Sequence, residues 1–158
     1  MGFNGAGLAI ALVVLTPSLL ILAFPPRPAV PEPTSPRIFT LLERVGQAGC
    51  LVAPTSFSGT APTGPAGFLV VMLVALALYY ALWLRYLTRG RLATLLFAPL
   101  GPLPLPMAAL PVLVFGCTAL WMPSLGVGAA AVVLAIGHLT VSGSIRSQQK
   151  SRHDGTVK

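Results

Sequence analysis

Apolar positions along the chain gather into blocks of about twenty residues, the length of a membrane-crossing helix, separated by short breaks rich in Pro and Gly. Most of these blocks show no polar face. A helix apolar on every side belongs in a large core or in lipid. About twenty residues at 1.5 Å each match a hydrocarbon layer near 30 Å. Four blocks read directly as spans: residues 6–24, closed by "PPRP"; 67–87, "GFLVVMLVALALYYALWLRYL"; 103–122, containing "ALPVLVFGCTALW"; and 124–145, after the break "MPS". Pro17 and Pro111 fall inside two of them and are expected as kinks, because neighbouring helices can satisfy the freed backbone groups.

The block 37–57 differs. Thr40, Glu43, Arg44 and Gln47 recur in its first half at helical spacing. Such a helix either lies on the membrane surface or crosses with one polar face. Charge placement separates the two. If it lies flat, Arg27, Arg37 and Arg44 fall on one side and the remaining Lys and Arg on the other. If it crosses, all 10 Lys and Arg collect at one face, and the opposite connections, 58–65 and around Pro123, hold no charged residue. Basic residues in short loops mark the cytoplasmic side. The expectation is therefore an all-α membrane protein. It has five transmembrane helices in a compact bundle, with the N-terminus outside and the C-terminus cytoplasmic. One domain covers residues 1–145, and the polar segment 146–158 is expected to be a disordered basic cytoplasmic tail.

Composition supports the membrane class. Charged residues make up 8% of the chain, against about 25% in soluble domains, and the mean hydropathy is +0.85. No Lys or Arg precedes the first apolar run and no small-residue cleavage site follows it, so the run is expected to stay as a span. The net charge of +7 belongs to the cytoplasmic loops, where it would meet anionic lipid headgroups. No basic stripe interleaved with aromatics appears in a polar context, which argues against nucleic acid. Cys50 and Cys117 are far apart and lie inside apolar blocks. They read as small hydrophobes rather than a redox pair. In the connection 88–106, "RLATLLFA" suits a short interfacial helix, and its alternating prolines suit an extended approach to the next span.

Candidate chemistry is sparse. Glu43 is the only acidic residue in any span, about six residues in and so roughly 9 Å deep at the helical rise. Glu43, Gln47, Cys50 and Pro54 share one helical stripe, of the kind that faces other helices rather than lipid. His138, near the cytoplasmic end of the last span, and Arg85, at the same end of the third, lie at similar depth. Glu43, Arg44, Gln47, Arg85 and His138 are thus expected to form a polar cluster in the cytoplasmic leaflet. One use is a proton or cation site, since intramembrane carboxylates are functional candidates and histidine titrates near neutral pH. The other, favoured because the group lies near a leaflet edge, is an ion pair that fixes helix register. Tyr79, Tyr80, Trp83 and Tyr86 at one end of the third span, and Trp121 at the far end of the fourth, read as interfacial anchors. Gly126, Ala130, Val133 and Gly137 give the last span a small-residue face suited to close packing, within the chain or between copies. No metal-ligand set, phosphate loop or nucleophile elbow occurs, and no cofactor is implied.

The strings "PSLLILAFPPRP", "LLERVGQAGCLVAP", "YYALWLRYLTRGR", "LPMAALPVLVFGCTALW" and "AIGHL" together resemble small multi-pass bacterial membrane proteins with no assigned activity, over about residues 17–140. The resemblance implies a bacterial inner-membrane location and no mechanism. The span count alone is similar to that of the translocator protein family, whose Trp- and Pro-rich loop this chain lacks. Three functional readings follow. The first is a non-catalytic binding, assembly or accessory component, with a membrane-protein partner or a second copy. The second is a small proton-coupled transporter or exchanger using Glu43 with His138. The third, an enzyme acting on lipid headgroups through Arg85, Glu43 and His138, is disfavoured because no recognised catalytic arrangement is present.

Overall fold

The computed structural model describes residues 2–56 and 62–156. Its regular structure is helical: α1 (Gly5–Ala23), α2 (Arg37–Ser56), α3 (Ala66–Thr88), the single turn α4 (Ala93–Leu96), α5 (Pro106–Trp121) and α6 (Leu125–Thr156). Asn4 starts α1, its side chain accepting the Gly7 N–H at 3.0 Å, as an N-cap does. α3 stops where Gly90 and Arg91 take positive φ and the Arg91 N–H returns to the Tyr86 carbonyl at 3.0 Å. Pro106 opens α5, where its missing N–H costs nothing.

Contacts between helices give their relative directions. Glu43 lies beside Gly137 and His138, Gly46 beside Leu134, and Gly49 beside Ala130, so α2 and α6 are antiparallel. Gly7 meets Pro54, and the Asn4 N–H donates to the Thr55 carbonyl, so α1 is antiparallel to α2. The hydroxyls of Tyr80 and Tyr86 donate to the carbonyls of Val13 and Phe24, which makes α1 and α3 parallel. Thr118 reaches Met72, while Trp83 shares a cavity with Met107, so α5 runs against α3. The five long helices therefore alternate in direction. α2 runs alongside α1 and α6, and the ends bearing Arg27, Arg37, Arg89, Arg91 and Arg146 gather at one pole. There the Arg27 N–H meets the Arg91 carbonyl and the Arg146 side chain donates to the Pro104 carbonyl.

Among the described residues, three helical segments are long and apolar enough to cross a membrane: α1, α3 and Leu125–Arg152 of α6. α5, with 16 residues, is shorter, and α2 carries Arg37, Glu43 and Arg44. Large apolar side chains, among them Leu22, Val70, Leu73, Leu84 and Val132, are exposed on the outer faces. In water this surface would be an aggregation liability; in lipid it is the expected exterior.

Two expectations are corrected. Segment 146–156 is not disordered but continues α6 to Thr156. Arg146 and Gln148 tie its first turn to the carbonyls of Pro104 and Glu32, and these tertiary bonds offset the ordering cost that an isolated polar tail would leave uncompensated. The proline-rich approach to α5 is not uniformly extended either. Leu100 and Leu103 exchange backbone hydrogen bonds across a tight turn, which Gly101 permits with a φ of 56°. The expected short helix in "RLATLLFA" is present as α4.

Candidate functional site

The pairing of α2 with α6 positions the polar centre. A Cβ added to Gly137 would overlap the backbone of Leu42 and Glu43, and one added to Gly46 would overlap the backbone of Leu134. The two helices thus touch main chain to main chain, the close approach that small residues permit in membranes. This register places His138 Nδ1 2.5 Å from Glu43 Oε1. The distance is short even for a charge-assisted hydrogen bond. With Nδ1–H donated to the carboxylate, the other ring nitrogen of His138 and the second oxygen of Glu43 are left for other partners. Both side chains retain partial exposure, 24% for His138 and 16% for Glu43.

Two adjoining cavities supply that exposure. The first, about 280 Å³, lies among Ala11, Val14, Cys50, Phe115 and Leu134 and is mainly apolar. The second, about 320 Å³, adds Glu43, Trp83, Phe97, Met107 and Ser142. Ser18, Ile21, Gln47, Tyr79 and His138 belong to both walls. The space exists because α1 and α2 touch at Gly7 and Pro54 and diverge toward Ser18 and Gln47. Leu19, Leu22, Gln47 and Leu51 line the first cavity and are exposed, so its mouth opens between α1 and α2.

Tyr79, Trp83 and Tyr86 form a continuous edge-to-face row, with ring centroids 6.3 and 5.5 Å apart. The anchor reading is corrected for these three: all are buried in the bundle. The i, i+4, i+7 spacing turns them to one face, and α1 supplies their partners. Tyr79 bonds Ser18 Oγ at 2.8 Å and Tyr86 donates to Phe24 O at 2.7 Å. Buried phenols are stable only with such partners. Tyr80 alone is 40% exposed. Trp121 lies at the opposite pole, where its carbonyl accepts the Gly64 N–H.

The expected five-residue cluster is brought together only in part. Glu43 and His138 pair, and Gln47 lines the same cavities. Arg44 is exposed. Arg85 turns instead to the Leu95 carbonyl, at 3.4 Å, because the chain folds back over it through α4. On the small-residue face, Ala130 and Gly137 meet α2 within the same chain, while Gly126 sits in the first turn of α6. Cys50 and Cys117 are buried free thiols. No group of three His, Cys, Asp or Glu side chains suited to a metal occurs among the described residues.

No protein-family model, curated protein or solved structure matches the chain. The residues overlooked in sequence are Ser18, Gly46 and Gly49. Gly46 and Gly49 carried a signal, since small residues three apart on a polar helix mark a packing seam. Ser18 carried none, because its role depends on which helix lies opposite.

Proposed function

We propose that the protein is a five-span, non-catalytic binding component of a bacterial inner membrane, which takes a partly apolar small molecule from the bilayer into the cleft between α1 and α2. The observation that carries this reading is the pair of adjoining cavities with one hydrogen-bonded polar wall inside an otherwise apolar bundle. Ligand sites are commonly apolar hollows of this kind with a few convergent polar groups. The alternating helix directions and the gathering of basic residues at one pole support the five-span, N-outside arrangement. The mouth lined by exposed leucines supports entry from lipid rather than from water.

Both parts can be tested on the purified full chain and in cells. Neopentylbenzene, a neutral apolar probe, should raise the thermal unfolding midpoint of the wild type in detergent and leave that of Ser18→Phe, whose ring fills the shared wall, unmoved. An equal rise in both, or none in either, overturns the cavity reading. Single cysteines at Arg89 and Pro123, in a Cys50→Ala, Cys117→Ala background, should react with an impermeant maleimide from opposite sides of the membrane. Reaction from the same side overturns the span count.

A further inference from the structure

The second cavity differs from the first in one decisive respect: it contains a carboxylate. Among the described residues, the titratable groups that line the two cavities are Glu43, His138, Tyr79 and Cys50, and no Lys, Arg or Asp side chain lines either one. Facing the pair, α1 presents Ser18, α2 Gln47, α3 Tyr79 and Trp83, and α6 Ser142, while α5 contributes apolar groups. Arg44, the nearest cation in sequence, is exposed, and the bond of Arg85 goes to Leu95. The remaining wall includes the aromatic side chains of Tyr79, Trp83 and Phe97 and the thioether of Met107. A partly buried carboxylate among aromatic rings, whose one partner is a histidine rather than a Lys or Arg, is complementary to an organic cation, because ring faces and an anion both attract positive charge.

Resting on the cavity-binding reading above, we propose that the second cavity binds a small organic cation with an apolar body, an aryl-alkyl amine or quaternary ammonium, in exchange for one proton on the Glu43–His138 pair. The charge balance is simple. In the empty site His138 is an imidazolium: Nδ1–H is donated to Glu43 Oε1 and Nε2 carries the second proton, so the pair is neutral. When the cation enters, it and the imidazolium would share one carboxylate in a weakly screened space. The Nε2 proton therefore leaves to water, Nδ1–H stays on Glu43, and the site is neutral again. On departure of the cation, Nε2 regains a proton from water. By linkage, release of one proton per cation makes affinity rise about tenfold per pH unit while the imidazolium form prevails.

The test compares two molecules of nearly the same shape, benzyltrimethylammonium and neopentylbenzene, on the full wild-type chain in detergent. Tritiated benzyltrimethylammonium should bind saturably and release about one proton per molecule into weakly buffered solution, the stoichiometry that linkage requires. Its affinity should climb with pH, by up to about tenfold per unit. Neopentylbenzene, held by the apolar first cavity, should bind without pH dependence or proton release. Glu43→Gln should lower the affinity for the cation at least about tenfold at pH 7.5, the scale of losing a charged partner. Cation binding that is flat in pH and releases no proton overturns the proposal, even where the neutral probe still binds and the cavity reading stands. Failure of both molecules to bind overturns both. Should Glu43→Gln not fold, the proton count on the wild type decides the matter alone.

Discussion

The two seams that α2 makes, with α6 on one side and α1 on the other, are built on opposite plans. Against α6 the contact runs from Glu43 to Gly46 main chain on main chain and on to Gly49, which meets the Ala130 methyl, with a carboxylate and an imidazole locked at its end. Against α1 the close contact is confined to one pole, where Gly7 meets Pro54 and Asn4 meets Thr55. Beyond it the helices separate and the space between them is left to the cavities. Where no hydrophobic force drives helices together, packing area and hydrogen bonds decide which seams are tight. The tight seam fixes the geometry of the polar pair. The open one gives that pair access to something outside.

The contrast can be broken by adding bulk at each seam. Gly137→Leu drives a side chain into the Glu43 backbone and should cost about 3 kcal/mol or more, the upper end for overpacking. The expected result is loss of most folded protein, read as monodisperse yield and thermal unfolding in detergent. Normal yield and stability would mean that the α2–α6 seam is not the rigid one.

Gly7→Leu makes an equally close contact with Pro54, but it falls at the one pole where α1 and α2 meet closely and leaves the polar pair untouched. The expected cost is about 1–2 kcal/mol, with folded protein retained and the mouth between α1 and α2 altered. A loss as large as that of Gly137→Leu would place both seams on equal footing and remove the comparison.

The smallest effect belongs to one of the three tyrosine hydroxyl bonds that tie α1 to α3. Tyr79→Phe deletes the 2.8 Å bond to Ser18 and should cost about 0.5–1.5 kcal/mol. A double-mutant cycle with Ser18→Ala should recover most of that as coupling. Zero coupling would show that α1 is held without this bond, by the pole contacts and the hydroxyls of Tyr80 and Tyr86.

Much of the helical layout was legible in the chain. α1, α2 and α3 begin within a residue of the expected positions, because long apolar runs bounded by Pro and Gly leave few alternatives in lipid. The meeting of Glu43 with His138 was also legible, since both sit at a similar distance from the basic ends of their helices. The aromatic residues at 79, 83 and 86 were not. Their position near a helix end suggested an interface, and only the partners on α1 disclose that this face turns inward. Arg85 misled for the same reason: its depth matched Glu43, but its direction did not.

The sequence by itself determined position along the helices: which apolar segments are helical, which ends carry the cations, and how far from those ends Glu43, Arg85 and His138 lie. These are one-dimensional properties, set by hydropathy, charge and the helical rise. Neighbours and faces were decided by the tertiary structure, because glycines that touch a backbone and glycines that face open space look the same in a string. Packing alone brought Gly137 against Glu43, turned Arg85 toward Leu95 and left the space beside Ser18 unfilled.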